Sequence, residues 1–233
     1  MITIFTMAYN EAVRLKFMID HYKARFPSAQ IIVYDNYSTD ATAQIAKDNG
    51  CEVKAYESNN KVDDNLLTVF KNNCWKNAET NWVMVIDIDE ILDINEEQLQ
   101  KEEVLGTTII KPEGWNMVNM EDNYDFSNMK YGYRHPDYDK TCLFNKKYIS
   151  EINFMHGAHR SGPTGVVKFS DNVYKLYHYH YINLDFILDR YKMTAARMSE
   201  ANRRNRWGWH YWEPEAEIIK TFNEVRAKAH KIL

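Results

Sequence analysis

The feature that most restricts this chain is the alternation in its first 93 residues. Four short apolar runs, "ITIFTMAY", "AQIIVYD", "CEVKAYE" and "NWVMVID", are separated by segments with helical character. The first separator, "EAVRLKFMIDHYKARF", places Leu15, Ile19 and Tyr22 at helical spacing. The second, "NYSTDATAQIAKDNG", runs from a turn into a helix and stops on glycine. The third, "DDNLLTVFKNNCWKNAE", predicts a helix with Leu66, Phe70 and Trp75 buried. A strand followed by a helix returns to the sheet through a crossover, and such crossovers produce parallel neighbours. The expected fold class is therefore α/β, an open and mostly parallel sheet flanked by helices. Sheets of this kind bind ligands beyond the C-terminal ends of their strands.

That rule draws attention to the acids where strands end. "MVIDIDEIL" is an apolar run that meets Asp87, Asp89 and Glu90. Isolated carboxylates are unfavourable in a core, so a ligand or solvent must reach them. If the chain stays extended, Asp87 and Asp89 share one side. Carboxylates are hard oxygen ligands suited to Mg²⁺ or Mn²⁺. Glu90 is expected to brace the turn or to join the ligands, and Asp93 to cap the next helix. Asn10 and Glu11 sit at the exit of the first run, and Asp35 ends the second, where it can accept a hydrogen bond from a nucleobase. Ser38, Thr39 and Asp40 suit the turn that follows. Neither a Gly-x-Gly-x-x-Gly fingerprint nor a Gly-x-x-x-x-Gly-Lys-Ser/Thr loop is present.

The pattern changes after Leu92. "GTTIIKPEGWNMVNME" and "KTCLFNKK" read as strands, and the turn-rich "DNYDFSNMKYGYRHPDYD" between them suits a binding loop. "VVKFSDNVYKLYHYHYI" reads as strand broken near Asp171 and Asn172. Leu184, Ile187, Leu188, Tyr191, Ala195 and Met198 mark an apolar helical face, and a final helix follows with Pro214 in its first turn. His156 and His159 lie three apart, and His178 and His180 share one strand face. The lack of a His-Glu-x-x-His motif argues against a zinc hydrolase. Arg134, Lys140 and Arg160 are candidates to pair with a diphosphate. "RRNRWGWHYW" joins cations to aromatics; a charged surface patch over packed tryptophans is the simpler expectation, with headgroup or acidic-glycan contact as the alternative.

Composition narrows the partners. With 29 Lys and Arg against 33 Asp and Glu, the net charge of -4 provides no general field for nucleic acid. The three cysteines lack metal-site spacing, and at least one cannot pair within the chain, which favours a reducing compartment. No leader and no run long enough to span a bilayer is apparent. Cytoplasmic residence is expected, with peripheral membrane contact open.

Together, "TMAYNEA", "VYDNYSTDAT" and "WVMVIDIDEIL" resemble a glycosyltransferase of the GT-A fold, near family 2. The "DIDE" form is most similar to small bacterial and large-virus members. The resemblance is carried by residues 1–93. It implies that Asp87 and Asp89 hold Mn²⁺ or Mg²⁺ against the diphosphate of a nucleotide sugar, that Asn10 and Glu11 belong to the donor site, and that Asp35 reads the base, with UDP-sugars favoured. Gly157-Ala158-His159 and Leu176-Tyr177-His178-Tyr179 are similar to later motifs of such members, which implies His178 as a third metal ligand. The later Glu-Asp pair that supplies the base in many relatives has no clean equivalent. His159 is the first candidate base, with Asp137, Asp139 and Glu151 as rivals. The implied organisation is a catalytic domain over 1–182, with a donor half at 1–93 and an acceptor half at 94–182, followed by a helical extension at 183–233. The implied reaction moves a sugar to a glycan or glycolipid hydroxyl with inversion. A nucleotidyltransferase or metal-dependent phosphohydrolase, and a non-catalytic carbohydrate-binding or scaffold domain, are the alternatives.

Overall fold

The computed structural model describes residues 1–121 and 123–233; Asp122, within the segment read above as a binding loop, lies outside the described residues. The first half runs β1 (Ile2–Ala8), α1 (Ala12–Arg25), β2 (Gln30–Asp35), α2 (Thr42–Asp48), β3 (Glu52–Ala55), α3 (Asp64–Asn73), β4 (Trp82–Val85), β5 (Glu90–Leu92) and α4 (Glu96–Val104). The second half adds β6 (Ile109–Val118), β7 (Tyr131–Arg134), β8 (Leu143–Asn145), β9 (Ile149–Glu151), β10 (Thr164–Gly165) and β11 (Phe169–Tyr181). It ends with α5 (Leu184–Arg197), α6 (Glu200–Asn205), α7 (Glu215–Lys228) and β12 (His230–Lys231).

The alternation produces the predicted architecture. The main sheet has the order β12-β7-β6-β8-β4-β1-β2-β3, and β3, β2, β1 and β4 are mutually parallel. Pairing of Ala8 with Asp35 and of Asp35 with Ala55 brings the exits of β1, β2 and β3 to one rim. Beyond β4 the sheet turns antiparallel through β8, with β6 and β11 forming a further parallel pair. One face of the sheet is covered by α1, whose Leu15, Ile19 and Tyr22 are fully buried among Ile2, Ile4, Val33 and Met84. The other face packs Phe5, Ile32, Val83 and Val85 against Trp75 and Phe144. Burial of each such side chain contributes about 1.5–3 kcal/mol, which fixes the sheet beneath the rim.

Several local expectations change. Leu66 is 45% exposed, because the inward stripe of α3 is Asp64, Leu67 and Lys71. Asp93 is not a helix cap; it pairs with Arg25 at 3.0 Å, and Asn95 caps α4 in a reciprocal box with Gln98. Pro214 stands at the N-cap of α7, one position before its first turn. The irregularity near Asp171 and Asn172 shifts the register between Phe169 and Val173 without ending β11.

The "VIDIDE" run does not stay extended. β4 stops at Val85, and the Glu90 N–H donates to the Asp87 carbonyl at 3.0 Å, closing a turn. Asp87 and Asp89 therefore face different partners. The turn is held from behind. The Tyr22 hydroxyl donates to the Glu90 carbonyl at 3.3 Å and accepts from the Leu92 N–H at 2.9 Å. The Tyr179 N–H donates to the Asp89 carbonyl at 2.6 Å, and β11 pairs His178 with Glu90 of β5.

Residues 183–233 are joined to this frame at several points. The Val62 N–H donates to the Arg197 carbonyl at 2.8 Å, the Ser199 N–H donates to the Val62 carbonyl at 3.0 Å, and β12 adds to the sheet beside β7. No helix among the described residues is long and apolar enough to cross a membrane.

Candidate active site

A cleft of about 850 Å³ opens over the C-terminal exits of β1, β2, β3 and β4. Its walls include α3, α5, the turn around Tyr138, and the segment around Trp207 to Tyr211. The acidic turn forms its floor.

Each acid of the turn is engaged by cations from elsewhere in the fold. Asp87 Oδ1 accepts from Lys71 Nζ at 2.6 Å, and Oδ2 from Lys140 Nζ at 3.0 Å. Lys140 also pairs with buried Glu90. Burial opposes the charge on Asp87, but Lys71 and Lys140 together outweigh it and hold the carboxyl below its ordinary range. Asp89 Oδ2 accepts from Arg14 Nη1 at 2.6 Å. Burial again opposes the charge, and Arg14, then His178, hold Asp89 well below its ordinary range. Arg14 is fixed by a fork: Nε and Nη2 donate to the two Glu11 oxygens at 2.8 Å each. Arg190 of α5 pairs with the same Glu11 and donates to the Tyr9 carbonyl at 3.0 Å.

On the other side stand the histidines of β11. Strand alternation brings both His178 and His180 to the cleft, with ring centroids 5.2 Å apart. His178 Nδ1 lies 2.7 Å from Asn116 Oδ1, while the Asn116 amide nitrogen donates to the Tyr133 hydroxyl at 2.9 Å. This arrangement places a proton on Nδ1 and turns Nε2 toward Asp89 Oδ2, 3.5 Å away. His180 Nε2 contacts the Tyr191 hydroxyl at 2.9 Å. Ligand atoms of Asp89, His178 and His180 all lie within 4.8 Å of one another. One carboxylate and two imidazoles form a donor set that fits a divalent cation, and the imidazoles suit Mn²⁺ better than Mg²⁺. Tyr138 stacks on His178 at 4.0 Å. Gly114 makes that stack possible, since a Cβ there would run into the Tyr138 backbone.

The other sequence candidates are dispersed. Glu11, Lys140, Asp137 and His159 line the cleft. His159 Nδ1 lies 2.9 Å from the Asp137 carbonyl, which can only accept, so Nδ1 carries the proton and Nε2 is the open nitrogen. Asn10, Asp35, Arg134, Asp139, Glu151 and Arg160 lie outside the lining. Asn10 has φ 51 and braces the loop after β2 by accepting from the Thr39 N–H at 2.8 Å. The Asp35 carboxylate accepts from the Ser38 N–H at 3.1 Å. Asp139 pairs with Arg134 at 2.6 Å, and Glu151 with Lys76 at 2.6 Å.

Sequence reading missed Arg14, Lys71 and Arg190, along with Tyr9, Asn36, Tyr56 and Asp63, which line the cleft just past β1, β2 and β3. The available signal was the helical spacing of Asp64, Leu67 and Lys71, which places the three on one face. Arg197 of α5 lays its guanidinium 3.2 Å from the Tyr9 ring centroid and donates to Asn36. The aromatic "WGWHYW" segment also departs from the surface-patch expectation. Arg206 and Gly208 adopt left-handed backbone, with φ 58 and 65, and turn Trp207, Trp209 and Tyr211 toward the cleft. Trp207 stacks on His156 at 3.9 Å.

Residues 3–161 match the family described as "Glycosyl transferase family 2". A 52-residue segment, 22% of the chain, is 42% identical to "Protein RfbJ" of Shigella flexneri. The chain spans 40% of the length of that relative. The fold is also similar to S. aureus TarS, with TM-score 0.47 and 14% identity over 97% of this chain and 43% of that one. It is similar as well to glucosyl-3-phosphoglycerate synthase from Mycobacterium tuberculosis, solved with Mn²⁺ and UDP, with TM-score 0.35 and 20% identity over 48% of this chain and 43% of that one.

Proposed function

The chain belongs to glycosyl transferase family 2, and from that premise we propose that it moves a sugar from a nucleotide sugar to a hydroxyl of a glycan or glycolipid. One observation carries this reading: the convergence of Asp89, His178 and His180 in a cleft that also presents Lys71, Lys140 and Arg190. Asp89, His178 and His180 would hold Mn²⁺ or Mg²⁺. When bound, such a cation stabilises negative charge on a departing diphosphate. The chain's own cations share that task, because buried ammonium and guanidinium groups act strongly on developing charge when water is excluded.

The nucleoside is assigned to the end of the cleft with Tyr9, Asn36, Tyr56 and Asp63. Asp63 uses Oδ1 to cap α3 through the Asn65 and Leu66 N–H groups. Its other oxygen is the acceptor proposed for a base N–H, with Asp35 bracing the neighbouring turn. A uracil ring presents such a donor, so UDP-sugars are the first donors to test. His159 is the proposed base: its Nδ1 is committed to the Asp137 carbonyl, and Nε2 takes the acceptor proton. A single displacement then inverts the anomeric centre.

The test is a panel of nucleotide sugars and acceptors with Mn²⁺. The expected result is donor-dependent release of nucleoside diphosphate with a new glycoside, inverted by NMR and reduced at least about 100-fold in Asp89→Asn. Release of sugar 1-phosphate in place of nucleoside diphosphate would point to nucleotidyl transfer. Binding without turnover across the panel would point to a carbohydrate-binding domain.

A further inference from the structure

The acidic turn is already neutralised by the protein. Arg14 and Arg190 pair with Glu11 and Asp89, and Lys71 and Lys140 pair with Asp87 and Glu90, in two adjacent sets of ion pairs, so four cations meet four carboxylates. The side chains of Lys71 and Lys140 are 7% and 6% exposed, and Arg14 and Glu11 are both at 5%. Screening by water is therefore weak. A divalent cation entering alone would leave two positive charges uncompensated in that setting. The same cation accompanied by a diphosphate would not.

The two kinds of cation differ in how they are held. Arg14 is locked by its fork to Glu11 and reaches Asp89 with one remaining nitrogen. Lys71 is a point charge at the end of a flexible stem, and its carboxylate partner is Asp87. It borders the same cleft in which a diphosphate would lie. We infer that Lys71 is an exchangeable clamp: it occupies Asp87 when no donor is present, transfers to the donor diphosphate when one binds, and so couples metal binding to nucleotide binding. Lys140 assists, but its second bond to Glu90 holds it to the floor. No covalent bond changes in this exchange. This inference rests on the transferase reading for the identity of the anion, and it assigns Lys71 a role in the donor site.

The coupling is reciprocal by linkage. In the wild-type protein, Mn²⁺ titrated alone and followed by electron paramagnetic resonance should bind roughly tenfold or more weakly than in saturating UDP. Calorimetry should show UDP gaining the same factor from Mn²⁺. Lys71→Met keeps the buried stem and removes the charge. It should tighten Mn²⁺ binding in the absence of nucleotide by roughly tenfold while weakening UDP. Lys71→Arg keeps the charge and should leave Mn²⁺ weak. Circular dichroism checks folding; if Lys71→Met does not fold, Lys71→Gln takes its place. Equal Mn²⁺ affinity in wild type and the neutral variant, or equal affinity with and without UDP, overturns the exchange. Glycoside formation alongside either result leaves the transferase reading intact. A metal titration that behaves as stated, with no sugar transferred from any donor, overturns the transferase reading alone.

Discussion

Arg14 holds the floor of the site together, and its removal has a magnitude that follows from its surroundings. The Arg14 side chain is 5% exposed, and its partners Glu11 and Asp89 are 5% and 16% exposed. Burial disfavours the guanidinium charge, but Asp89 and Glu11 outweigh it, so Arg14 stays protonated throughout the accessible pH range. Arg14→Met strands two carboxylates that have little access to water. Loss of one partner from a buried pair costs about 3–5 kcal/mol. Glu11 retains Arg190 and Asp89 retains its approach to His178, so the lower end, about 3 kcal/mol, is expected. Glu11→Gln in the same background removes one stranded charge and should recover part of the loss, a coupling of at least about 0.5 kcal/mol. The assay is urea unfolding followed by far-ultraviolet circular dichroism and tryptophan fluorescence, with coincident transitions as the test of two-state behaviour. A loss below about 1 kcal/mol for Arg14→Met, or a double variant that loses the full sum of the singles, would falsify the argument.

Tyr22→Phe removes the acceptor of the Leu92 N–H and the donor to the Glu90 carbonyl; urea unfolding should show a loss of about 1–3 kcal/mol, and an unchanged midpoint would discount the anchor. The His21 imidazole is pushed down to about 4, first by burial and then by Arg25, so the native state binds fewer protons than the unfolded chain between about pH 6.5 and pH 4. Stability present above pH 6.5 should therefore fall toward pH 4 by on the order of 1–2 kcal/mol from this group, and His21→Gln should flatten that slope; an identical slope in the variant refutes the assignment. Gly114→Ala forces the Tyr138 turn away from β6 and breaks the stack on His178, so the Mn²⁺ affinity measured with UDP should drop, and wild-type affinity would show that the stack does not position the ligand.

In one dimension, only what local periodicity encodes is legible. Apolar runs alternating with amphipathic segments specify strands, helices and parallel order, because each element signals its own length and face. The same logic located the rim, since the acids at Asp87 and Asp89 and the pair His178 and His180 all mark strands that end or alternate there. The tertiary structure decided which charges meet. A buried Lys71 and an exposed lysine read identically in one dimension, and Arg14, Lys71, Lys140 and Arg190 come from four separate parts of the chain. The turn from Asp87 to Glu90 depends on a hydrogen bond that an extended reading does not contain. Asp139 and Glu151 are drawn away from the cleft by Arg134 and Lys76, partners brought by sheet register and helix packing. Electrostatic energy depends on distance and burial, and both are set by long-range pairing that no run of neighbouring residues encodes.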